Sequence, residues 1–207
     1  MCNLYGNKVS FRQLVDEFSQ IRLPLRFPEP HAAPNLEPRD EIRPTDPAPI
    51  VRARDDGVEL VTLKWGFRPS RPKAQPVINF RSDGRRFGRG RCLIPASHFF
   101  EFTGTKYPKT KWRFTQAGQD WFCIAGLWRP AEGDWPESFT MLTTEPGPDI
   151  KPYHDRQIAV LDRAEWAAWL DPSTDEAELL EPKPAGFLVV EMAAKGRDEP
   201  PAEARLL

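Results

Sequence analysis

The length, composition and charge of the chain exclude several classes of protein. Its 207 residues, 40% of them hydrophobic, are enough for one domain with its own core. The sequence has no run of about 18 apolar residues and no basic segment followed by an apolar one at its start, which argues against a membrane span and a signal peptide. Three widely spaced cysteines argue against a disulfide framework and a zinc site. We therefore expect a cytoplasmic protein with no metal and no cofactor.

The net charge of −1 hides an uneven distribution along the chain. Residues 64–113 carry thirteen Lys or Arg against two acids, a net of +11, whereas residues 132–207 carry seven against seventeen, a net of −10. A basic middle in a near-neutral chain predicts one face built for an anion, and nucleic acid is the obvious partner. Charge alone equally allows a solvated basic surface that is balanced by an acidic one.

The first half of the chain predicts one helix, a long loop and several strands. The apolar residues of "SFRQLVDEFSQI" share one helical face, and Ser10 with Gln13 fits a capping box. Residues 24–49 are rich in Pro, which predicts a long irregular loop. "PIVRARDDGVELVTLKWGF" predicts a hairpin that turns at "DDG". Strand-like cores follow in "PVINFRS" and "RCLIPASHFFEF".

The second half predicts further strands and a second short helix. "KWRFTQAGQDWFCIAGLW" predicts a hairpin around "AGQD", and Asp162 with Glu165 predicts the start of the helix "RAEWAAWL". More strands are predicted in "SFTMLTT", "RQIAVL" and "GFLVVEM". Strands that come in runs favour an α+β, β-dominated fold: a single domain with a mainly antiparallel sheet or barrel core and a few short helices. We expect this domain to span residues 1–192, and the charged, Pro-rich residues 193–207 to form a disordered tail.

Cys2 directly follows the initiator methionine, and removal of Met1 would make it the N-terminus. The mature end would then carry an α-amine and a thiol on adjacent carbons, with ordinary pKa values of about 8 and 8.5. Such an aminothiol can form a Schiff base with an aldehyde and close a thiazolidine ring, or its thiol can attack an amide. The position of Cys2 alone leaves open both a functional role and an accident of composition.

Two titratable residues are candidates for acid–base chemistry. Glu101 stands among aromatic residues in "HFFEF", where burial would raise its pKa as an acid–base catalyst requires. The alternative for Glu101 is a buried ion pair with a nearby arginine. His154 lies beside Asp155 and Arg156, which fits a poised acid or base or, alternatively, a structural residue.

A basic segment in the middle of the chain is a candidate anion site. "INFRSD" puts Asn79 and Arg81 on one strand face, and this pair of side chains suits an oxygen-rich ligand such as a sugar-phosphate. The following "GRRFGRGRC" interleaves Gly and Arg with an aromatic, so that Arg85 and Arg86 fit a flexible phosphate clamp. An exposed basic loop is the alternative.

Five motifs join these residues in one order: "MC", "WGF.PS", "VIN.RSD", "RCLIPA..FFEF" and "HDRQIAVL", which together span residues 1 to about 170. In this combination the chain resembles the SOS-response-associated peptidase (SRAP) family. The resemblance implies a single β-rich domain with a groove for single-stranded DNA, and it implies the capture of abasic sites. It also supplies an anion for the basic middle of the chain.

The resemblance implies roles for four catalytic residues. Cys2 would attack the aldehyde of the ring-opened abasic sugar and close a thiazolidine. Asn79 would position the amino terminus and the sugar. Glu101 would transfer protons during ring opening and Schiff-base formation, and His154 would hydrogen-bond the sugar and shuttle protons.

The resemblance implies a DNA-binding set as well. Arg81 and Arg156 would grip flanking phosphates, and the other members of the set are Pro44, Trp65, Arg71, Arg85, Arg86 and Thr143. The chain departs from the family pattern at this edge: Asn3 and Leu4 stand in place of Gly and Arg, Arg71 in place of a base-stacking aromatic, and Glu41 in place of Asn.

We therefore predict a monomeric protein, without a membrane partner, that forms a covalent thiazolidine crosslink between Cys2 and abasic sites in single-stranded DNA. Strand incision at the Schiff-base stage is expected as a side activity. Two alternatives stay open. One is an autoprocessing cysteine peptidase, and the other is a non-covalent single-strand-binding module in which Cys2 is incidental.

Overall fold

The computed structural model describes residues 2–27, 36–54 and 57–198. Within these ranges, helices α1 and α2 span Phe11–Gln20 and Trp166–Leu170. Strands β1 to β14 span, in order, Tyr5–Asn7, Leu25–Arg26, Arg39–Ile42, Pro47–Arg54, Gly57–Trp65, Asn79–Arg81, Arg91–Ala96, His98–Thr103, Thr110–Gln116, Phe122–Arg129, Ser138–Thr144, Gln157–Ile158, Val160–Leu161 and Leu188–Ala194.

The larger of two sheets closes into a barrel. Its strand order is β12–β11–β10–β7–β4–β5–β2, and a parallel pairing of β5 with β11 joins the ends of a five-stranded ring. The other pairings in the ring are antiparallel. The predicted α+β, β-dominated fold with a mainly antiparallel barrel core is confirmed.

The barrel strands are buried on both faces, which explains their continuous apolar sequences. All six residues of β7, "RCLIPA", are buried; Cys92 and Ile94 pack into one core and Leu93 into another. The smaller sheet, of order β14–β9–β8–β1–β3, covers the first core, and α1 and α2 cover the second. A strand covered on both sides has no polar face, so it lacks period-2 alternation.

Both predicted helices and their caps are confirmed. Ser10 and Gln13 form the capping box of α1. Asp162 and Glu165 form a second capping box, which starts a 3₁₀ turn that leads into α2.

The predicted hairpin around "AGQD" is wrong. Its two strands are β9 and β10; β9 pairs with β8 and β14, whereas β10 pairs with β7, β11 and β13. Their burial explains the separation. β9 alternates between buried and half-buried residues, which suits the one-sided sheet, and β10 is buried along most of its length, which suits the barrel.

The Pro-rich loop predicted for residues 24–49 contains short strands. β3 forms within it because residues 39–42 lack Pro and find an edge position beside β1. Residues 28–35 of this loop lie outside the described residues, as do residues 55–56 of the predicted "DDG" turn and residues 199–207 of the predicted tail. The domain boundary at residue 192 stays a prediction; in the structure hydrogen bonds continue as far as Asp198.

We expect Gly6→Ala to destabilise the fold, because β1 passes close to both its neighbours there. A Cβ on Gly6 would lie 2.2 Å from Cε1 of His98 and 2.7 Å from the carbonyl oxygen of Asp40. We expect a loss of about 2 to 3 kcal/mol in the free energy of unfolding, measured by urea denaturation. The matched control is Gly88→Ala, since a Cβ at Gly88 meets nothing within 4 Å. Equal stability of the two variants would contradict the tight packing of β1.

Candidate active site

The pairing of β1 with β8 delivers the start of the chain to Glu101. The antiparallel register continues beyond β1, because the amide of Phe100 donates a hydrogen bond to the carbonyl of Leu4 (3.0 Å). Continued in the same register, Asn3 lies opposite Glu101 and Cys2 lies one position beyond it, which brings the start of the chain beside Glu101.

Asn79 holds the main chain of Cys2. Its Nδ2 donates a hydrogen bond to the carbonyl oxygen of Cys2 at 2.7 Å. Asn79 begins β6, and the preceding residue is fixed because Nε1 of Trp65 donates to the carbonyl of Ile78 (3.0 Å). The Oδ1 of Asn79 is buried and accepts no hydrogen bond from the described residues, so a ligand can use it.

Glu101 is a buried carboxyl group on the inner face of β8. It is 2% exposed and shares this face with Phe99, as strand alternation predicts. Burial raises the pKa of Glu101 to about 7. The side chain can therefore both accept and donate a proton near neutral pH.

The thiol of Cys2 is buried and neutral. Its Sγ donates a hydrogen bond to the carbonyl of Leu4 at 3.3 Å. Burial, and then the negative charge of Glu101, raise the pKa of the Cys2 thiol to about 12. This direction is opposite to the one that produces a reactive thiolate. A reaction at the sulfur consequently needs a base that takes the proton as the new bond forms.

His154 is held as a neutral hydrogen-bond donor. Its Nδ1 accepts a hydrogen bond from the backbone amide of Arg156 (2.9 Å), so the neutral ring carries its proton on Nε2. Burial lowers the pKa of His154, which keeps the ring neutral at pH 7. The carboxylate of Asp155 lies 2.8 Å from the same Nδ1 and is 87% exposed.

One cavity brings the acid–base residues together. It has a volume of about 500 Å³, and Asn3, Glu101 and His154 contribute to its wall. Tyr107 and Lys109 line another part of the same cavity. The structure thus joins the four residues predicted to be catalytic, with Cys2 and Asn79 linked by a hydrogen bond and Glu101 and His154 linked by a shared cavity.

Arg81 and Thr143 are neighbours because β6 and β11 pair in parallel, with these two residues in register. Arg81 is exposed, whereas Thr143 is buried and uses its carbonyl to accept hydrogen bonds from Ser82 and Arg156. Arg156 is itself mostly buried and forms two hydrogen bonds with Asp83, at 3.0 and 2.6 Å. Its guanidinium is therefore bound by other residues of the protein. The sequence did not predict its partner Asp83.

Arg85 and Arg86 lie in a separate cavity of about 990 Å³, which we call the arginine groove. It is lined by Phe80, Arg85, Arg86, Phe87, Gly88, Arg89, Gly90, Leu127, Trp128, Arg129 and Pro130. No carboxylate of the described residues contributes to its wall. Arg85 stacks over Phe80, with its guanidinium carbon 4.9 Å from the ring centre, whereas Arg86 pairs with Asp175 at 2.8 Å. Strand alternation puts Phe80 and Asn79 on opposite faces of β6, so the groove and Cys2 lie on different sides of this strand.

The prediction that Trp65 contacts DNA is wrong. It is fully buried, and its ring packs edge-on against Tyr5 with 5.1 Å between the ring centres. A side chain in this position cannot contact DNA, and its role is to support Ile78 next to Asn79. The other two members of the DNA-binding set lie at the surface: Pro44 is half-buried in the turn between β3 and β4, and Arg71 is exposed.

Two absences apply to the part of the chain that the structure describes. None of its helices has the length and apolar character needed to cross a membrane. No group of three or more His, Cys, Asp or Glu side chains within it is arranged to hold a metal ion.

A model of the SOS response associated peptidase (SRAP) family matches residues 1–194. The chain belongs to the SRAP family. "Abasic site processing protein YobE" of Bacillus subtilis is 26% identical over 200 residues, which cover 87% of this chain and 87% of that protein. "Abasic site processing protein YMR114C" of Saccharomyces cerevisiae is 22% identical over 223 residues, which cover 88% of this chain and 60% of the yeast protein.

Solved structures of low sequence identity share the SRAP fold of this chain. A protein of Bordetella bronchiseptica has a TM-score of 0.70 and 24% identity, over 93% of this chain and 100% of its own. A phage-related protein of the same organism has a TM-score of 0.67 and 22% identity, over 94% of this chain and 95% of its own. The barrel and its covering sheet therefore recur at these levels of identity.

We expect Glu101→Gln to stabilise the fold at high pH. The folded carboxyl group, with a pKa of about 7, holds its proton more tightly than an ordinary one at 4.5, so the free energy of unfolding falls as pH rises through this window. The variant removes that loss, and we expect a gain of up to about 3 kcal/mol at pH 8 and little change at pH 4. Urea denaturation at both pH values measures it. The control is Glu178→Gln, an exposed carboxylate; a gain of equal size at pH 4 and pH 8 would contradict the raised pKa.

Proposed function

We propose that this SRAP protein captures abasic sites in single-stranded DNA through a thiazolidine bond to Cys2, once Met1 has been removed. The observation that carries the proposal is the arrangement around Cys2: Asn79 holds its carbonyl, and a carboxyl group with a pKa of about 7 lies beside its thiol. An aminothiol next to a group that both accepts and donates protons suits condensation with an aldehyde. The names of the SRAP relatives, "abasic site processing protein", agree with this substrate.

The first step of the proposed reaction joins the α-amine of Cys2 to the aldehyde of the ring-opened sugar. Nitrogen adds to the carbonyl carbon, and the resulting carbinolamine loses water to give an iminium ion. Protonated Glu101 supplies the proton with which the hydroxyl leaves as water. The neutral His154 donates from Nε2 to a sugar oxygen in the same cavity, and the main-chain contact of Asn79 keeps the amine in place.

The second step closes the ring. The Cys2 sulfur adds to the iminium carbon, the carbon–nitrogen double bond becomes single, and the thiol proton passes to the Glu101 carboxylate. The sum is one aldehyde and one aminothiol giving one thiazolidine and one water. The high pKa of the thiol makes this transfer necessary, because a thiol with a pKa of about 12 does not ionise unaided at neutral pH. Glu101 thus serves as the acid in the first step and as the base in the second.

The surface supports single-stranded DNA as the bound form. Arg81 projects from the same strand face as Asn79, and the arginine groove lies on the other side of this strand. Arg85, Arg89 and Arg129 make no ion pair with the described residues. The half-buried rings of Phe80 and Trp128 line the groove beside them, with Arg85 over the first ring and Arg52 over the second. Phosphate contacts interleaved with aromatic faces are typical of single-strand binding. Action on chromosomal DNA would place the protein in the cytoplasm, with the nucleoid.

The raised pKa of the buried thiol argues against the cysteine peptidase alternative, because an amide is a much weaker electrophile than an iminium ion and its attack depends more on a preformed thiolate. A non-covalent binding module in which Cys2 is incidental would need neither the hydrogen bond from Asn79 to Cys2 nor a buried carboxyl group at Glu101, so these two features argue against it. Strand incision at the Schiff-base stage stays a side activity of the proposed mechanism, because the iminium ion forms before the ring closes.

We expect a crosslink that depends on both reactive groups of Cys2. Mature protein, with Met1 removal confirmed by mass, is incubated with single-stranded DNA that contains one abasic site and is run on a denaturing gel. The wild type should give a shifted, heat-stable band, and Cys2→Ala should give none. Cys2→Ser keeps the amine, so its Schiff base should appear after borohydride reduction but not without it. Glu101→Gln should bind equally well and crosslink more slowly.

Absence of the band with the mature wild type would overturn the proposal. Cleavage of a peptide without DNA would favour the peptidase instead. Full function of Cys2→Ala would favour the non-covalent binder.

We expect the arginine groove to contribute phosphate contacts. Arg89→Ala combined with Arg129→Ala should weaken single-strand binding and reduce the slope of log affinity against log salt by roughly 1.4, which corresponds to two contacts. Titrations at several salt concentrations measure it. The control is Arg12→Ala, whose side chain is 91% exposed on α1, and an equal change in slope for the control would remove the groove from the DNA-binding surface.

A further inference from the structure

The loop between β8 and β9 exposes a large aromatic ring. Tyr107 is 83% exposed. Three large hydrophobic side chains of the described residues are exposed, and Tyr107 is the aromatic one. Lys106 and Lys109 flank it, and both are exposed as well. An exposed ring between two cations is a composition that binds single-stranded nucleic acid.

The end of the described chain holds this loop in place. Oδ2 of Asp198 accepts hydrogen bonds from the amide of Thr105 (2.9 Å), the hydroxyl of Thr105 (2.6 Å) and the amide of Lys106 (3.1 Å). At the other end of the loop, Oγ1 of Thr110 accepts a hydrogen bond from the amide of Gly196 (2.8 Å). A ring on a fixed loop loses less conformational entropy when it binds a ligand.

The loop belongs to the wall of the catalytic cavity. Tyr107 and Lys109 line the same 500 Å³ space as Glu101 and His154. Lys111 also lines it, but its Nζ is held 2.6 Å from Glu41 and 3.8 Å from the centre of the Phe100 ring. Lys106 and Lys109 make no ion pair with the described residues, so their charge is available to a phosphate.

We propose that Tyr107 stacks on the base next to the abasic nucleotide, while Lys106 and Lys109 contact the phosphates of that flank. The inference rests on the proposed function, since it takes the cavity at Glu101 and His154 as the seat of the abasic sugar. A base beside an abasic site has lost one stacking neighbour, and the exposed ring replaces it. Tyr107 is thereby a positioning residue that sets how the lesion enters the cavity.

The test is a double-mutant cycle between the Tyr107 side chain and one base next to the abasic site. Affinity is measured for short single strands that carry an unreactive tetrahydrofuran analogue of the abasic site, so that crosslinking plays no part. Wild type and Tyr107→Ala are compared on strands in which the 5′ neighbour, the 3′ neighbour or neither is also replaced by the analogue. With both neighbouring bases present, we expect Tyr107→Ala to weaken binding roughly 5- to 150-fold, the range of a base–aromatic stack.

On one of the two flanks, removal of the base should abolish the difference between wild type and variant. Tyr107→Phe should bind like the wild type, and Val189→Ala, which trims an exposed apolar residue outside the cavity, should change nothing. Equal weakening by Tyr107→Ala whether or not either base is present would overturn the proposal, as would no weakening at all. If the cycle gives this expected result but the wild type forms no crosslink with a true abasic site, the proposed reaction is overturned and the stacking role stands.

Discussion

The pairing of the first residues with β8 is the constraint on which the candidate site depends. Cys2 has no secondary structure of its own; its position follows from the hydrogen bond between Phe100 and Leu4 and from the grip of Asn79. The close passage of Gly6 beside His98 makes that pairing possible, since any side chain there would push the two strands apart. A few main-chain contacts therefore hold the start of the chain, a region that is ordinarily mobile, in a fixed position.

The same burial that stabilises the core sets the chemistry of Glu101 and Cys2. Removing water raises the pKa of both groups, because each charged form loses its hydration. For the carboxyl group the result is a pKa near neutral pH, which suits proton transfer. For the thiol the result is an unreactive neutral group. In the proposed reaction, the same burial therefore suits Glu101 to proton transfer and makes the Cys2 sulfur depend on it, so that the thiol reacts after the amine and with Glu101 as its base.

Much of this site could be predicted from the sequence, because its residues stand in short motifs with distinctive neighbours. Glu101 among aromatic residues indicated burial, and Asn79 with Arg81 indicated a shared strand face. The fully buried Trp65 and the pairing of Arg156 with Asp83 could not be predicted, since a motif gives residue types but not which side of a strand meets the core or which partner a guanidinium finds. The separation of β9 from β10 was missed for a related reason: a turn between two strands does not determine whether they pair with each other.

The acidic second half of the chain decides how much of the basic middle is free. Within the described residues, ion pairs join Arg68 to Glu132, Arg86 to Asp175, Arg91 to Glu176 and Arg113 to Glu191. Arg91 is almost fully buried with Glu176, so its charge serves the fold rather than a ligand. The cations of residues 64–113 without such partners are fewer than the sequence count. Two groups of them lie near the candidate site: Arg85 and Arg89 in the arginine groove beside β6, and Lys106 and Lys109 in the loop at the cavity of Glu101 and His154. In the proposed complex, the single DNA strand runs between the arginine groove and the loop of Lys106 and Lys109. Its abasic sugar then lies between these two positive regions, at Glu101 and His154.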